Sequence, residues 1–401
     1  MRHKGFTIVE VLVGSSIMLI IMMLTLTLYT KSNKTAVDQM QLAEIQHDVR
    51  AGMYFILREV SMAGSGLPQG LSGYFVEGVD GYSPGEESAD AIKIMGNSEN
   101  PLSLRIETYS GGAGGGAATA FLYDGELENN QYLAEFYENK VILLASTTCP
   151  GCFAYRTITN MFGFGEVGVE KINMSPGLAE FNPPGGLIDT GCPSTCWGDA
   201  IVTFGQVKQF WLDSTGIPGD YPNLNLNIGV DGYMGIVGTL YMTTMNEFGG
   251  TTHLAIAMNI ENLQFQYIGD LDDDGTLEDS VDWDNISWTI NPADDFAVRL
   301  GKLDLLSRIR SVRMWVLGKT PSPFVSRSGS PTTAIHLYRR PAIANSLSSA
   351  DDKHRRFLLE TTSNIRNHSL DFYSTDIEAS SCSPCHIEDA TLKVTQIRRI
   401  K

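Results

Sequence analysis

Positive charge is what this chain has least of. Its 401 residues carry 29 Lys and Arg against 46 Asp and Glu, for a formal net charge of −17. A bulk surface of that sign repels phosphates, so no nucleic-acid partner is expected. Catalytic signatures are also missing. No His-Glu-x-x-His or Gly-x-Ser-x-Gly occurs, and the seven His residues do not cluster in sequence. The glycine run Gly111–Gly116 lacks a strand-to-helix context and a following Lys-Ser/Thr, so it reads as a loop and not a phosphate cradle. These absences predict that the chain is not an enzyme. Gly (40) and Pro (16) stay near ordinary usage, which excludes collagen and broad disorder. A hydrophobic share of 43% over this length suffices for one large or two small cores.

What is present begins at the N-terminus. From Phe6 to Tyr29 the only formal charge is Glu10. As a helix this run is roughly 36 Å long, enough to cross the hydrocarbon of a bilayer. Arg2 and Lys4 precede it, which predicts a cytoplasmic N-terminus with the rest outside. A secretory signal would place its small-residue cleavage site after the apolar run, whereas here Gly5 stands before it. A carboxylate one turn inside an apolar helix is expensive unless something neutralises it, so Glu10 is a functional candidate.

The stretch Lys4-Gly5-Phe6-Thr7-Ile8-Val9-Glu10 resembles the cleavage motif of type IV prepilins. The resemblance implies that a prepilin peptidase cuts after Gly5 and methylates the new N-terminus at Phe6. It also implies that Glu10 pairs with the terminal amine of a neighbouring subunit, an arrangement in which a buried carboxylate is tolerated because an ammonium meets it. On this reading residues 1–5 are a leader peptide and 6–63 are a spine helix, with 6–29 in the inner membrane before assembly.

Helical character continues past the membrane. Leu42, Ile45, Val49, Met53, Ile56 and Val60 recur at spacings of three and four, one apolar stripe of an amphipathic helix. The stop is expected near Ala63-Gly64-Ser65-Gly66, with Pro68 just beyond. Residues 64–401 read as a β-rich head with room for two lobes. Strands are expected at Ala91–Met95, Tyr132–Ala145, Ala200–Phe204, Gly238–Thr243, Leu254–Tyr267 and Ser311–Leu317. The basic run Arg299–Arg313 reads as a charged strand face. The fold class is therefore α+β, a long transmembrane and spine helix packed on a large antiparallel β-rich head.

Further matches narrow the resemblance. Asp48-Val49-Arg50-Ala51 with Leu57-Arg58-Glu59-Val60, Ile260–Tyr267 running into Asp270, and Arg355-Arg356-Phe357 with Thr361, Ile365, Arg366 and Asn367 look like the PilW-like minor pilins. An insertion is expected within 100–250, where nothing matches. The family implies partners: other minor pilins, the major pilin, the prepilin peptidase, the inner membrane and a tip adhesin. It implies a role in initiating type IV pilus assembly within a priming complex, with the head periplasmic or at the cell surface. A minor pseudopilin of a type II secretion system is the alternative.

Three clusters suggest chemistry. Asp270, Asp272, Asp274, Thr276 and Glu278 place oxygens at alternate positions, with Gly275 at the turn, the spacing of a calcium loop. An EF-hand needs a Glu at the twelfth position and this chain has Val281. Six cysteines form three close pairs: Cys149 with Cys152, Cys192 with Cys196, and Cys382 with Cys385. Outside the cytoplasm such pairs favour disulfides, local pairing being the simplest of many connectivities, and a four-thiolate zinc site on the first four is the rival. Cys382-Ser-Pro-Cys385-His386 also fits a haem c attachment pattern, which would make the chain a surface electron carrier on a pilin anchor.

Overall fold

The computed structural model describes residues 7–67, 75–79, 89–97, 103–110, 118–123, 138–149, 152–162, 170–175, 182, 187, 192, 194–213, 238–245, 248, 250–270, 274, 276–279, 296–321, 340–343 and 354–365. Contacts divide the chain into Met1–Ser369 and Leu370–Lys401. The second unit lies wholly outside the described residues, and Cys382, Cys385 and His386 with it.

Helix α1 runs Ile8–Ser61, 54 residues, or about 81 Å. The expected bounds were 6 and 63. Phe6 lies outside the described residues, and the helix closes at Met62, whose N–H reaches the Arg58 carbonyl at 3.2 Å. Gly64 then takes φ +74° and donates its N–H to the Met95 carbonyl at 2.8 Å. A Cβ on Gly64 would meet the Phe75 ring at 2.3 Å, so both the left-handed backbone and the packing require glycine.

The two halves of α1 do different work. From Ile8 to Tyr29 every side chain is exposed, and the helix is long and apolar enough to cross a membrane. Ser15, Ser16, Thr25 and Thr27 return their hydroxyls to carbonyls four residues back at 2.7–2.8 Å, hiding their polarity within the helix. In the second half, Ile45, Val49, Met53, Ile56 and Val60 are buried, with Leu42 half-buried, as the stripe required. Each such burial is worth about 2 kcal/mol. Two glycines let the backbones approach. A Cβ on Gly52 would touch Leu240 at 2.8 Å, and one on Gly318 would touch Ile45 and Val49 at 2.4 and 2.6 Å.

Among the described residues the head comprises three antiparallel sheets. A five-stranded sheet has the order β1 (Val76–Val79), β2 (Ala91–Gly96), β10 (Gln206–Asp213), β11 (Thr239–Met245) and β12 (Thr251–Ala257). A four-stranded sheet has the order β14 (Glu278–Asp279), β13 (Ile260–Gly269), β15 (Ile309–Lys319) and β16 (Arg356–Asn364). A seven-stranded sheet has the order β6 (Phe153–Thr157), β5 (Val141–Ala145), β9 (Ile201–Thr203), β3 (Ser103–Ser110), β4 (Ala118–Leu122), β8 (Lys171–Met174) and β7 (Asn160–Phe162). The fold is therefore α+β, with α1 packed against β12, β13, β15 and β16.

Three strand expectations need correction. Leu254–Tyr267 is two strands, because Asn259 adopts φ +59° and turns the chain between β12 and β13. Asparagine tolerates that left-handed conformation. The basic run Arg299–Arg313 begins on a helix, α2 (Phe296–Ser307), before entering β15. Leu300, Leu303 and Leu306 among strong helix formers favour that outcome, and Arg308 pairs with Asp304 one turn back at 2.6 Å. Of Tyr132–Ala145, the strand is Val141–Ala145, Glu138 and Asn139 form a turn, and 131–137 lie outside the described residues.

Two apolar cores result. The first joins the buried stripe of α1 to the five- and four-stranded sheets. The second lies entirely between Leu104 and Phe204 and takes in β3, β4, β8 and the inner residues of β5. Strand β5, Val-Ile-Leu-Leu-Ala, is buried on both faces because Leu143 enters the first core while Ile142 and Leu144 enter the second. A polar row also crosses the five-stranded sheet in register: Glu77, Lys93, Gln209, Thr243 and His253. Lys93 is 4% exposed and pairs with Glu77. Burial pushes its pKa down to about 7.

Candidate functional site

The N-terminal end of α1 is built by Thr7. Its hydroxyl caps the helix by accepting from the Glu10 N–H at 3.3 Å. In return the Glu10 Oε2 accepts from the Thr7 N–H and hydroxyl, both at 2.9 Å. This is a capping box, and the Thr-x-x-Glu spacing before an apolar run is a sequence signal for it that the motif reading passed over. Glu10 is exposed on the helix surface, and both bonds to it fall on Oε2. Gly5 and Phe6 lie outside the described residues.

The acidic segment forms the connection between β13 and β14, with Glu278 placed opposite Gly269 across the ladder. Asp274 is exposed, and its Oδ1 accepts from the Thr276 N–H at 2.7 Å and from the Thr276 hydroxyl, an Asx-turn. Asp272 and Gly275 lie outside the described residues. Among the described residues no group of three His, Cys, Asp or Glu side chains stands close enough to hold a metal ion.

Local cysteine pairing is not what forms. Cys149 bonds Cys196 and Cys152 bonds Cys192, so the two close pairs are joined to each other. With all four sulfurs in disulfides, the four-thiolate zinc reading is also corrected. The physical cause is the fold. Cys149 and Cys152 flank the turn between β5 and β6, and Cys192 and Cys196 lie at the short 3-10 turn Ser194–Trp197 that caps the same end of the second core. Ser146 ties the two segments further, donating to the Cys196 carbonyl at 2.6 Å.

One surface was not anticipated from sequence. The seven-stranded sheet buries Ile106, Ala120, Leu122, Ile172 and Met174 on one face. Its other face, over β3, β4, β8 and β7, presents two adjacent rows set by the register. Thr108, Phe121, Lys171 and Phe162 form the first, and Ser110, Thr119, Asn173 and Asn160 the second. The Lys171 ammonium lies 5.9 Å from the Phe121 ring centre and 5.5 Å from that of Phe162. Beside them Arg105 lies 5.4 Å from the Tyr123 ring centre. The Tyr123 hydroxyl donates to Asp199, whose acceptance of that bond raises the phenol pKa. Phe162 is 41% exposed, Thr108 and Ser110 are exposed, and Thr119, Phe121, Asn160, Lys171 and Asn173 are half-buried.

No protein-family model matches the chain and no curated protein matches it. Among solved structures, the type IV-like pilin TTHA1219 from Thermus thermophilus aligns at 9% identity and a TM-score of 0.20, over 57% of this chain and 84% of that one. At that score the likeness carries no argument, and the fold stands on the helix and sheets described above.

Proposed function

We propose that this chain is a minor pilin that helps to initiate type IV pilus assembly in a priming complex with other minor pilins. The observation that carries the reading is one continuous helix. It starts inside the Lys4–Glu10 motif, leaves its first half wholly exposed and apolar, and packs only its second half on the head. An exposed apolar half is costly in water, and it suits first a bilayer and then a bundle of like helices. Thr7 holds Glu10 through Oε2, and Oε1 is the oxygen that would receive a neighbour's terminal ammonium.

Intact mass of the protein from its native envelope tests this. Loss of Met1–Gly5 with gain of one methyl group is expected, and a retained leader would overturn the pilin reading. The same spectrum would show an added haem mass if Cys382, Cys385 and His386 carried haem c. Calcium at Asp270, Asp272, Asp274, Thr276 and Glu278 belongs to the same proposal as a brace for the head. Chelation should lower the melting temperature and added calcium should restore it. A melting temperature indifferent to both removes calcium from the account.

A further inference from the structure

We propose that the two-row face of the seven-stranded sheet binds an acidic glycan, a polysaccharide bearing hexuronate carboxylates. The inference does not rest on the pilin reading, because the face belongs to the second core and not to α1. Three features of the surface point to this ligand class.

The first row supplies stacking. Phe121 and Phe162 stand two strands apart, about 9.6 Å at the usual strand spacing. That separation suits alternate rings of an extended sugar chain, whose C–H faces pack on aromatic faces. The second row supplies hydrogen bonding without charge. Ser110, Thr119, Asn173 and Asn160 are hydroxyls and carboxamides, groups that offer donor and acceptor together and match the hydroxyls of a sugar. The Thr119 hydroxyl donates to Asn173 Oδ1 at 2.9 Å, which fixes that carboxamide. Four strands make a platform about 14 Å wide across the rows.

The third feature is charge. On a protein of net charge −17, the one charged member of the two rows is a cation, Lys171 between the two Phe rings, while the flank is mixed, with Arg105 on Tyr123 facing two carboxylates. Glu107 is exposed at the bulge near Tyr123, off both rows, and Asp199 accepts from the Tyr123 hydroxyl. A cation held over aromatic rings next to sugar-binding amides favours a carboxylate on the sugar over a neutral chain.

The test uses the full chain in detergent micelles and isothermal titration with short alginate oligosaccharides, neutral cello-oligosaccharides and an oligothymidylate. Alginate should bind about tenfold or more tightly than the neutral chain. Phe162→Ala should weaken alginate about tenfold, and Lys171→Gln should abolish the preference for the acidic chain. Thr108→Glu provides a variant at an exposed position that cannot disturb either core, and it should weaken alginate about as much by repulsion. The proposal is overturned if alginate gives no heat at millimolar concentration. It also falls if the three substitutions leave its affinity unchanged, or if the oligothymidylate binds as well with the same sensitivity, since the face would then serve nucleic acid.

Discussion

The two disulfides that join the cysteine pairs allow a magnitude to be worked out in advance. Cys149–Cys196 closes a loop with a sequence separation of 47, and Cys152–Cys192 one of 40. Taken alone, either bridge would restrict the unfolded chain by about 4 kcal/mol on the chain-entropy account. They are nested, however, and the second bridge acts on ends the first has already brought together. With one bridge in place, the other closes a circuit of only about seven residues, worth about 2 kcal/mol. Removing Cys149 and Cys196 together as Ala should therefore cost about 2 kcal/mol, removing Cys152 and Cys192 about the same, and removing all four about 6 kcal/mol. Against a typical domain stability of 5–15 kcal/mol, a single loss leaves the second core folded and the double loss brings it near unfolding. Urea titration of the full chain in a mild detergent, with hydrogen exchange read at Ile142–Leu144, isolates this core. A cost of about 4 kcal/mol for one bridge, with costs that simply add, would refute the nested-loop reasoning.

Three further outcomes follow from described contacts. Gly52→Val should cost about 2–3 kcal/mol by forcing α1 off Leu240 and Ala257, while Gly52→Ala should be near neutral, because the end of the Leu240 side chain can turn away, Ala257 Cβ at 3.3 Å needs to give by only a few tenths of an ångström, and helix propensity improves; equal urea midpoints for the two variants would sink the close-approach argument. Lys93 titrates at about 7 when folded and near 10.4 when unfolded, so across that interval the unfolded chain holds the extra proton and stability rises with pH. The head should melt higher at pH 9.5 than at pH 7, a Lys93→Met/Glu77→Leu pair should flatten the profile, and a flat profile in the unsubstituted chain contradicts the burial argument. Glu10→Gln keeps the hydrogen bonds to Thr7 but loses the charge, so it should fail in filament incorporation as badly as Glu10→Ala if the carboxylate meets an ammonium; incorporation by the Gln variant would assign Glu10 to helix capping alone.

How much of this was legible in sequence depends on the range of the interaction. The α1 stripe and the alternation in β15, where Val312, Met314 and Val316 are fully buried, were readable because neighbours along the chain set them. The break at Asn259 was obscured by apolar residues on both sides of it. The basic run looked like a strand face because charge carries no period of its own. The cysteine connectivity and the two-row face were not readable at all. Phe121, Lys171 and Phe162 become neighbours only through a strand order in which β4, β8 and β7 lie side by side, and no local pattern encodes that order. Glu10 shows the opposite case, a capping signal open to view but overlooked beside a louder motif.

The pairing of β2 with β10 has a practical corollary. Gly96 stands directly opposite Gln206, so everything from residue 97 to 205 departs from and returns to one point of the ladder, as an elaborated hairpin loop would. A protein engineer could treat that junction as a socket. A short turn could replace the whole excursion, or a foreign module with closely spaced ends could be plugged in there. The condition is set by Met95 and Val207, whose apolar side chains share the first core with Leu143 and Tyr155 and would need polar replacements once that cover was gone.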